Sequence, residues 1–349
     1  MYYKGITYDV GTIFAGGRST RDEFDPAVMC REIEIIKNDL HCNAVRVCGQ
    51  DTARLKTTAE YALSQGLIVW FSPLLVEATE EETLTYLAEC SEIAEELRQR
   101  FPHMLFVVGG ELSFHMKGIV KGEDLYARIH NFASPRGLLW HMLTGGRWPG
   151  RRLNAFLAKT VAVVRKRFHG QVTYASGPWE KVDWQLFDLV SVNYYRNAQN
   201  AKRYRQGLQR YFKHGKLVAI TEFGCCTYEG AEAKGATGWG IVDTSSIPRK
   251  IKDGFQRSED TQAQYLRELL DIFRQEPVEG SFVFNFAVYN LPTDENPTFD
   301  LDMASYGVVK VLPAGEKGIT YPDMRWEPKK AFQIVAEQYD KREVSSSKV

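Results

Sequence analysis

From residue 1 to about residue 340, short runs rich in β-branched and aromatic residues alternate with longer amphipathic stretches, the α/β pattern. Eight runs read as strands: YKGITYD (3–9), NAVRVCG (43–49), LIVWFSP (67–73), MLFVVGG (104–110), QVTYAS (171–176), LVSVNYY (189–195), LVAITEF (217–223) and SFVFNFA (281–287). Between them, Asp25 to Asn38, Asp51 to Ser64, Glu80 to Arg100, Leu153 to Phe168 and Thr261 to Gln275 place apolar residues three and four apart, and read as helices. Eight strands, each followed by a helix or a helix-bearing connection, predict an α/β chain folded as a (β/α)8 TIM barrel. A doubly wound sheet is the competitor. No strand is followed by a G-x-G-x-x-G or Walker-type loop, and the paired glycines of VVGGEL have the wrong spacing, so nucleotide binding has no support.

No low-complexity linker or change of composition divides the chain, which predicts one barrel domain over 1–341. The polar, aperiodic end REVSSSKV (342–349) reads as a disordered tail. Long connections follow strand 4 (KGEDLYARIHNFASPRGLLWHMLTGGRWPGRR), strand 7 (CCTYEGAEAKGATGWGIVDTSS) and strand 8 (YNLPTDENPTFDLDMASYG). Insertions after barrel strands lie on the catalytic rim and wall a pocket.

Charge narrows the partners. The 349 residues carry 44 Lys and Arg against 44 Asp and Glu, so nothing favours a polyanion and no nucleic-acid partner is expected. MYYKGITYDVGT lacks a basic segment followed by an apolar run, and no stretch approaches the roughly 18 apolar residues of a membrane span, so no membrane partner and a cytoplasmic location are expected. The six scattered cysteines read as reduced. With no Cys-x-x-Cys pair and no histidines at i, i+4 flanking an acid, neither a metal nor another cofactor is expected.

The candidate chemistry sits at two strand ends. VAITEFGCCTY (218–228) places Glu222 where a buried strand surfaces, and MLFVVGGEL places Glu111 after five apolar residues and two glycines. In a barrel the C-terminal ends of strands 4 and 7 face one mouth. Two carboxylates there can approach to about 5 Å, the separation at which one attacks an anomeric carbon while the other protonates the departing oxygen. The plainer alternative is a pair of structural strand-end acids that cap turns or pair with neighbours.

With these features the chain resembles the clan A glycoside hydrolases, barrel enzymes whose acid/base and nucleophile are glutamates ending strands 4 and 7. The resemblance implies Glu111 as acid/base, Glu222 as nucleophile, and Arg46 of NAVRVCG as the arginine that supports the nucleophile. From VNYY it implies Tyr194 or Tyr195 as the tyrosine that touches it. YPDMRWEPKKAFQIVAEQY resembles the W-x-P-K-x-A-F close of the last helix in such barrels. GELSFHMKGI, TEFGCCTYEGA and FDLDMASYGVVK resemble bacterial proteins carried under the name "abortive infection protein", a label that implies phage defence. One departure stands out: the clan usually places asparagine just before the acid/base, to bond the sugar 2-hydroxyl, and here that position is Gly110. Asn193 and Asn285, at the ends of strands 6 and 8, are candidates to replace that contact; the alternative for each is a turn or ladder-end hydrogen bond.

Two identical side chains need different surroundings to do different work. A guanidinium from Arg46 favours an ionised Glu222, whereas an apolar setting beside Phe114 favours a protonated Glu111. Arg46 also has a purely structural reading as the partner of any nearby acid. His115 and Lys117 follow Glu111 but read more simply as solvent-facing or capping residues, and Cys225 and Cys226 as packing residues. Trp148, Trp179 and Trp239 fall on rim loops and are candidates to stack on sugar faces, while Trp70 reads as core. NAKRYRQGLQRYFKHGK is basic, but Tyr204, Leu208 and Phe212 have helical spacing, which reads as a solvated surface helix. Three functions remain open: a retaining glycosidase acting on a small-molecule or oligosaccharide β-glycoside, a lyase, isomerase or cyclase on the same barrel, and a non-catalytic binding or defence protein.

Overall fold

The computed structural model describes residues 1–14, 17–143 and 147–341. Eight parallel strands close into a barrel: strand 1 Tyr3–Asp9, strand 2 Ala44–Gly49, strand 3 Ile68–Pro73, strand 4 Met104–Gly110, strand 5 Gln171–Ser176, strand 6 Val190–Asn193, strand 7 Val218–Phe223 and strand 8 Val278–Val283. Each pairs with its sequence neighbours, and strand 1 closes the ring by pairing with strand 8, Gly5 opposite Phe282. The fold is the (β/α)8 barrel. The eighth strand starts and ends earlier than its apolar run predicts, at 278–283 instead of 281–287. Beyond Val283 the chain leaves the ladder to build the mouth, with the Phe284 amide on the Phe223 carbonyl and the Phe286 amide on the Thr7 carbonyl. Strand 6 likewise stops at Asn193, so Tyr194 and Tyr195 lie past its end.

Alternate positions on each strand point in and out. The inward set builds a dry plug from Tyr3, Trp70, Leu105, Val107, Leu189 and Phe282. The Trp70 ring lies 5.4 Å from Tyr3 and 4.7 Å from Phe282, and truncating a side chain so enclosed costs about 3–5 kcal/mol. Glycine makes room for the plug: a Cβ on Gly5 would sit 2.3 Å from a Phe282 ring carbon. Outward residues such as Ile6, Val45, Val69 and Phe106 meet the helices in a larger core.

The helices begin where short polar side chains cap them. Asp25 accepts from the Ala27 amide ahead of Pro26–Asn38, and Asp51 from the Arg54 amide ahead of Thr52–Ser64. Thr79 and Glu82 form a capping box at Glu80–Arg100, and Ser258 caps Glu259–Gln275. The basic run folds as the helix Tyr204–Phe212, burying Tyr204, Leu208 and Tyr211. The helix foreseen from Leu153 starts earlier, spanning Arg147–Arg165. The side chain of Trp148 and the whole of 342–349 lie outside the described residues.

Two buried polar hubs tie the long rim connections to this frame. Glu32, fully buried on Pro26–Asn38, accepts from Tyr8, Arg21, Tyr289 and the Trp326 indole. Asp302, beyond strand 8, pairs at 2.9 Å with both Arg257 and the fully buried Lys329 that precedes the helix Lys330–Asp340. Removing one partner from a buried ion pair costs about 3–5 kcal/mol, so these hubs hold the mouth's walls still. No helix among the described residues is long and apolar enough to cross a membrane.

Candidate active site

The mouth at the C-terminal ends of the strands is polar where the plug below it is apolar. On strand 7, Ala219 and Thr221 point inward, and strict alternation would turn Glu222 outward. A bulge overrides it: Ile220 pairs with Val192 but Glu222 pairs with Asn193, leaving Thr221 as the extra residue. Both Thr221 and Glu222 can then reach neighbours in the mouth. Glu222 Oε1 lies 2.7 Å from Arg46 Nη1, and its Oε2 accepts from the Tyr195 hydroxyl at 3.4 Å. Arg46 is only 2% exposed as a side chain against 18% for Glu222. Its Nε donates to Ser72 Oγ at 3.0 Å and Nη1 also donates to the Thr221 carbonyl at 3.2 Å, so the guanidinium arrives at the carboxylate already oriented.

Glu111 is held differently. It follows strand 4 with φ 46° and ψ 41°, a left-handed backbone that costs a residue other than glycine about 1–3 kcal/mol and is characteristic of functional sites. Several bonds fix it there. Its amide donates to the Ala175 carbonyl at 3.0 Å, and its carbonyl accepts from the amides of Phe114 and His115. The Leu112 amide donates to the Tyr174 hydroxyl at 2.8 Å and the Ser113 amide to Glu180 Oε1 at 3.0 Å. On the carboxyl itself the single donor among the described residues is Asn193 Nδ2, 3.0 Å from Oε1, with Asn193 Oδ1 accepting from Thr221 Oγ1 at 2.9 Å. Glu111 and Glu222 therefore belong to one network running Glu111–Asn193–Thr221–Arg46–Glu222.

Burial, followed by the negative charge of Glu222, pushes the Glu111 carboxyl up to about 8; the Asn193 hydrogen bond and Arg46 oppose this only in part. Burial lowers the proton affinity of His115, whose Nδ1 sits 2.7 Å from the Gly110 carbonyl, so that ring braces the backbone before Glu111 in its neutral form.

The remaining candidates separate. Tyr195 reaches Glu222, whereas the Tyr194 hydroxyl turns away into the core, onto the Tyr204 carbonyl at 3.2 Å. Of the two alternatives it is therefore Tyr195 that touches Glu222, because it has the inward parity and Tyr194 the outward one. Asn285 is buried past the end of strand 8; its backbone carbonyl accepts from the Val308 amide, and its side-chain oxygen has no hydrogen-bond partner among the described residues. It makes no bond to either glutamate. Trp239, 41% exposed, lies 6.0 Å from Tyr126, joining the loop after strand 7 to the helix Leu125–Ala133 after strand 4. Trp179 stacks on Phe114 at 4.9 Å and donates to Ser113 Oγ, and Trp70 is core. Cys225 and Cys226 are buried. At Gly110 a Cβ would stand 3.4 Å from Arg46 Nη2 and 3.6 Å from Ala175, ordinary van der Waals contacts.

Sequence reasoning missed Tyr174, Thr221, Ser72 and Glu180, which orient the candidates. Inward parity on strands 3 and 7 could have signalled Ser72 and Thr221. Nothing in SGPWEK marks Glu180, which reaches the site from the loop after strand 5. No group of three or more His, Cys, Asp or Glu among the described residues is placed to hold a metal ion.

Solved structures share this architecture. A GH113 β-1,4-mannanase superposes with a TM-score of 0.63 at 17% identity, covering 98% of this chain and 100% of its own. The GH113 β-mannanase AaManA from Alicyclobacillus acidocaldarius gives 0.55 at 15%, covering 97% of each chain. The β-glucuronidase of Parabacteroides merdae gives 0.56 at 14%, with 98% of this chain matched to 37% of that one. What they share with it is the barrel fold. No family model and no curated protein matches the chain.

Proposed function

We propose that the protein is a retaining glycoside hydrolase that cleaves a β-linked glycoside, with Glu222 as nucleophile and Glu111 as acid/base. One observation carries this reading: two glutamates share a hydrogen-bonded network at the mouth, one ion-paired with Arg46 at 2.7 Å, the other raised to about 8. A carboxyl raised so far holds its proton near neutrality and can deliver it to a departing glycosidic oxygen. Glu222 attacks the anomeric carbon as Glu111 protonates the leaving group; Glu111, now ionised, then deprotonates the water that releases the sugar. Tyr195, on the second oxygen of Glu222, and Asn193, on Glu111, aim the two carboxyls. Trp239 and Tyr126 offer exposed aromatic faces at the rim for further sugar units.

The GH113 β-1,4-mannanases among the structural neighbours make β-mannosides the first substrates to test, with β-glucuronides next. Proton NMR of the first-formed sugar reads the outcome: the β-anomer appearing before mutarotation supports retention, and the α-anomer refutes it. Gly110 favours a second reading, a lyase or isomerase that uses the same carboxylates for proton transfer, because this position offers the substrate no amide side chain. A product of unchanged mass, or one with an unsaturated ring, would select it.

A further inference from the structure

A third carboxylate stands behind Glu111. Glu180 Oε1 accepts from the Ser113 amide at 3.0 Å and the Tyr174 hydroxyl at 2.9 Å; Oε2 accepts from the same hydroxyl at 2.9 Å and from the Gly177 amide at 3.0 Å. The Tyr174 hydroxyl in turn accepts from the Leu112 amide at 2.8 Å. Burial raises the Glu180 carboxyl above its usual value, and the bonds it accepts from the Ser113 and Gly177 amides and the Tyr174 hydroxyl oppose this in favour of the ionised form. The two residues that follow Glu111 thus give their backbone N–H groups to Tyr174 and Glu180, and Trp179, next to Glu180, covers Phe114. Together these contacts hold the turn that keeps Glu111 in its left-handed backbone.

We infer that Glu180 is a positioning residue for Glu111: it clamps the turn that presents the acid/base carboxyl and sets a carboxylate behind it. The inference rests on the acid/base reading of Glu111. Several charged or titratable groups face that carboxyl. They are Glu222 from strand 7, Arg46 from strand 2, Tyr195 from the end of strand 6, and Tyr174 and Glu180 from strand 5 and its loop, while His115 of its own turn bonds the Gly110 carbonyl behind it. The neutral amide of Asn193 completes the set. Among these Glu222 and Glu180 raise Glu111 beyond what burial does, and Asn193 and Arg46 draw it down. Glu222 is taken by the reaction itself, as the nucleophile. Glu180 takes no part in bond making, and its charge remains.

The test is a carbon-13 NMR titration of the protein labelled at its glutamate carboxyls, with the Glu111 signal assigned by its loss in Glu111→Gln. In Glu180→Gln the Glu111 midpoint falls by about half a pH unit, a roughly threefold change in its acid constant. The basic limb of kcat/KM on glycosides with poor leaving groups moves down with it. A merely structural role lowers the melting temperature and leaves the midpoint where it is in the wild type, which overturns the inference. Tyr174→Phe removes the hydroxyl and keeps the charge, so its Glu111 midpoint stays or rises; a fall there also overturns the inference and decides the matter should Glu180→Gln not fold. The titration needs no turnover. A midpoint that falls in Glu180→Gln while no glycoside is cleaved supports the placement of the charge and overturns the acid/base reading beneath it.

Discussion

The two corners of the mouth hold the same side chain in opposite settings. At strand 7 the protein surrounds Glu222 with donors, a guanidinium fixed by Ser72 and Thr221 on one oxygen and a tyrosine hydroxyl on the other. At strand 4 Glu111 has, among the described residues, one neutral amide donor, buried surroundings and two other carboxylates nearby. Sequence distance plays no part in this difference. It comes from which strands supply the inward groups: strand 2 faces Glu222 with a cation that Ser72 of strand 3 steadies, and the end of strand 6 adds the Tyr195 hydroxyl, while strand 5 leads to Glu180 beside Glu111. A barrel can therefore specify an acid and a nucleophile from one residue type by choosing the chemistry of adjacent strand ends.

The comparison breaks most completely if the proposed nucleophile is removed. Glu222→Ala is expected to lose about 10⁵-fold in kcat, with azide restoring part of the rate by attacking from the vacated face. Steady-state assays with and without azide check both. Glu111→Ala should divide substrates instead. Glycosides with poor leaving groups slow by about 10³-fold, whereas aryl glycosides with very acidic phenols keep a fast first step, seen as a burst of phenol before slow turnover. Equal losses on both classes without a burst would remove Glu111 from the acid/base role. In the wild type, kcat/KM on poor leaving groups should fall as pH rises through the raised Glu111 value of about 8, since the required form is the protonated one. Arg46→Lys keeps the charge at the other corner but loses the planar fork that serves Ser72, Thr221 and Glu222 together. A loss of about 10- to 100-fold in kcat is expected, with the basic limb of the pH profile little moved. The smallest effect sharpens the contrast: Asn193→Ala removes a hydrogen bond that favours ionised Glu111, so the basic limb should move to higher pH, by less than about one unit.

Much of this was legible in the chain. Apolar runs at regular spacing mark the barrel, and Glu111, Glu222 and Arg46 are visible because parallel strands bring their C-terminal ends to one mouth. Parity along VSVNYY could also have chosen between the tyrosines, since Ser191, Asn193 and Tyr195 share the inward face and Tyr194 does not. Elsewhere the pattern misleads or falls silent. Strict alternation would have turned Glu222 away, and only the bulge at Thr221 returns it to the mouth; a bulge depends on the pairing of two strands and leaves no local mark. The run SFVFNFA is apolar throughout, so nothing in it shows that the ladder ends at Val283. Glu180 acts through a loop whose path is set by contacts with Ser113 and Tyr174, more than sixty residues away and in the preceding strand respectively.

The division of labour between the corners is tested most directly by trapping the nucleophile. Incubation with activated 2-deoxy-2-fluoro glycosides, β-mannosides first, followed by proteolysis and mass mapping of the adduct, identifies the attacking carboxylate by residue. The prediction is a single sugar ester on Glu222 that is absent from Glu222→Ala. An ester on Glu111, or protein that turns over a β-glycoside yet is never labelled, would contradict it.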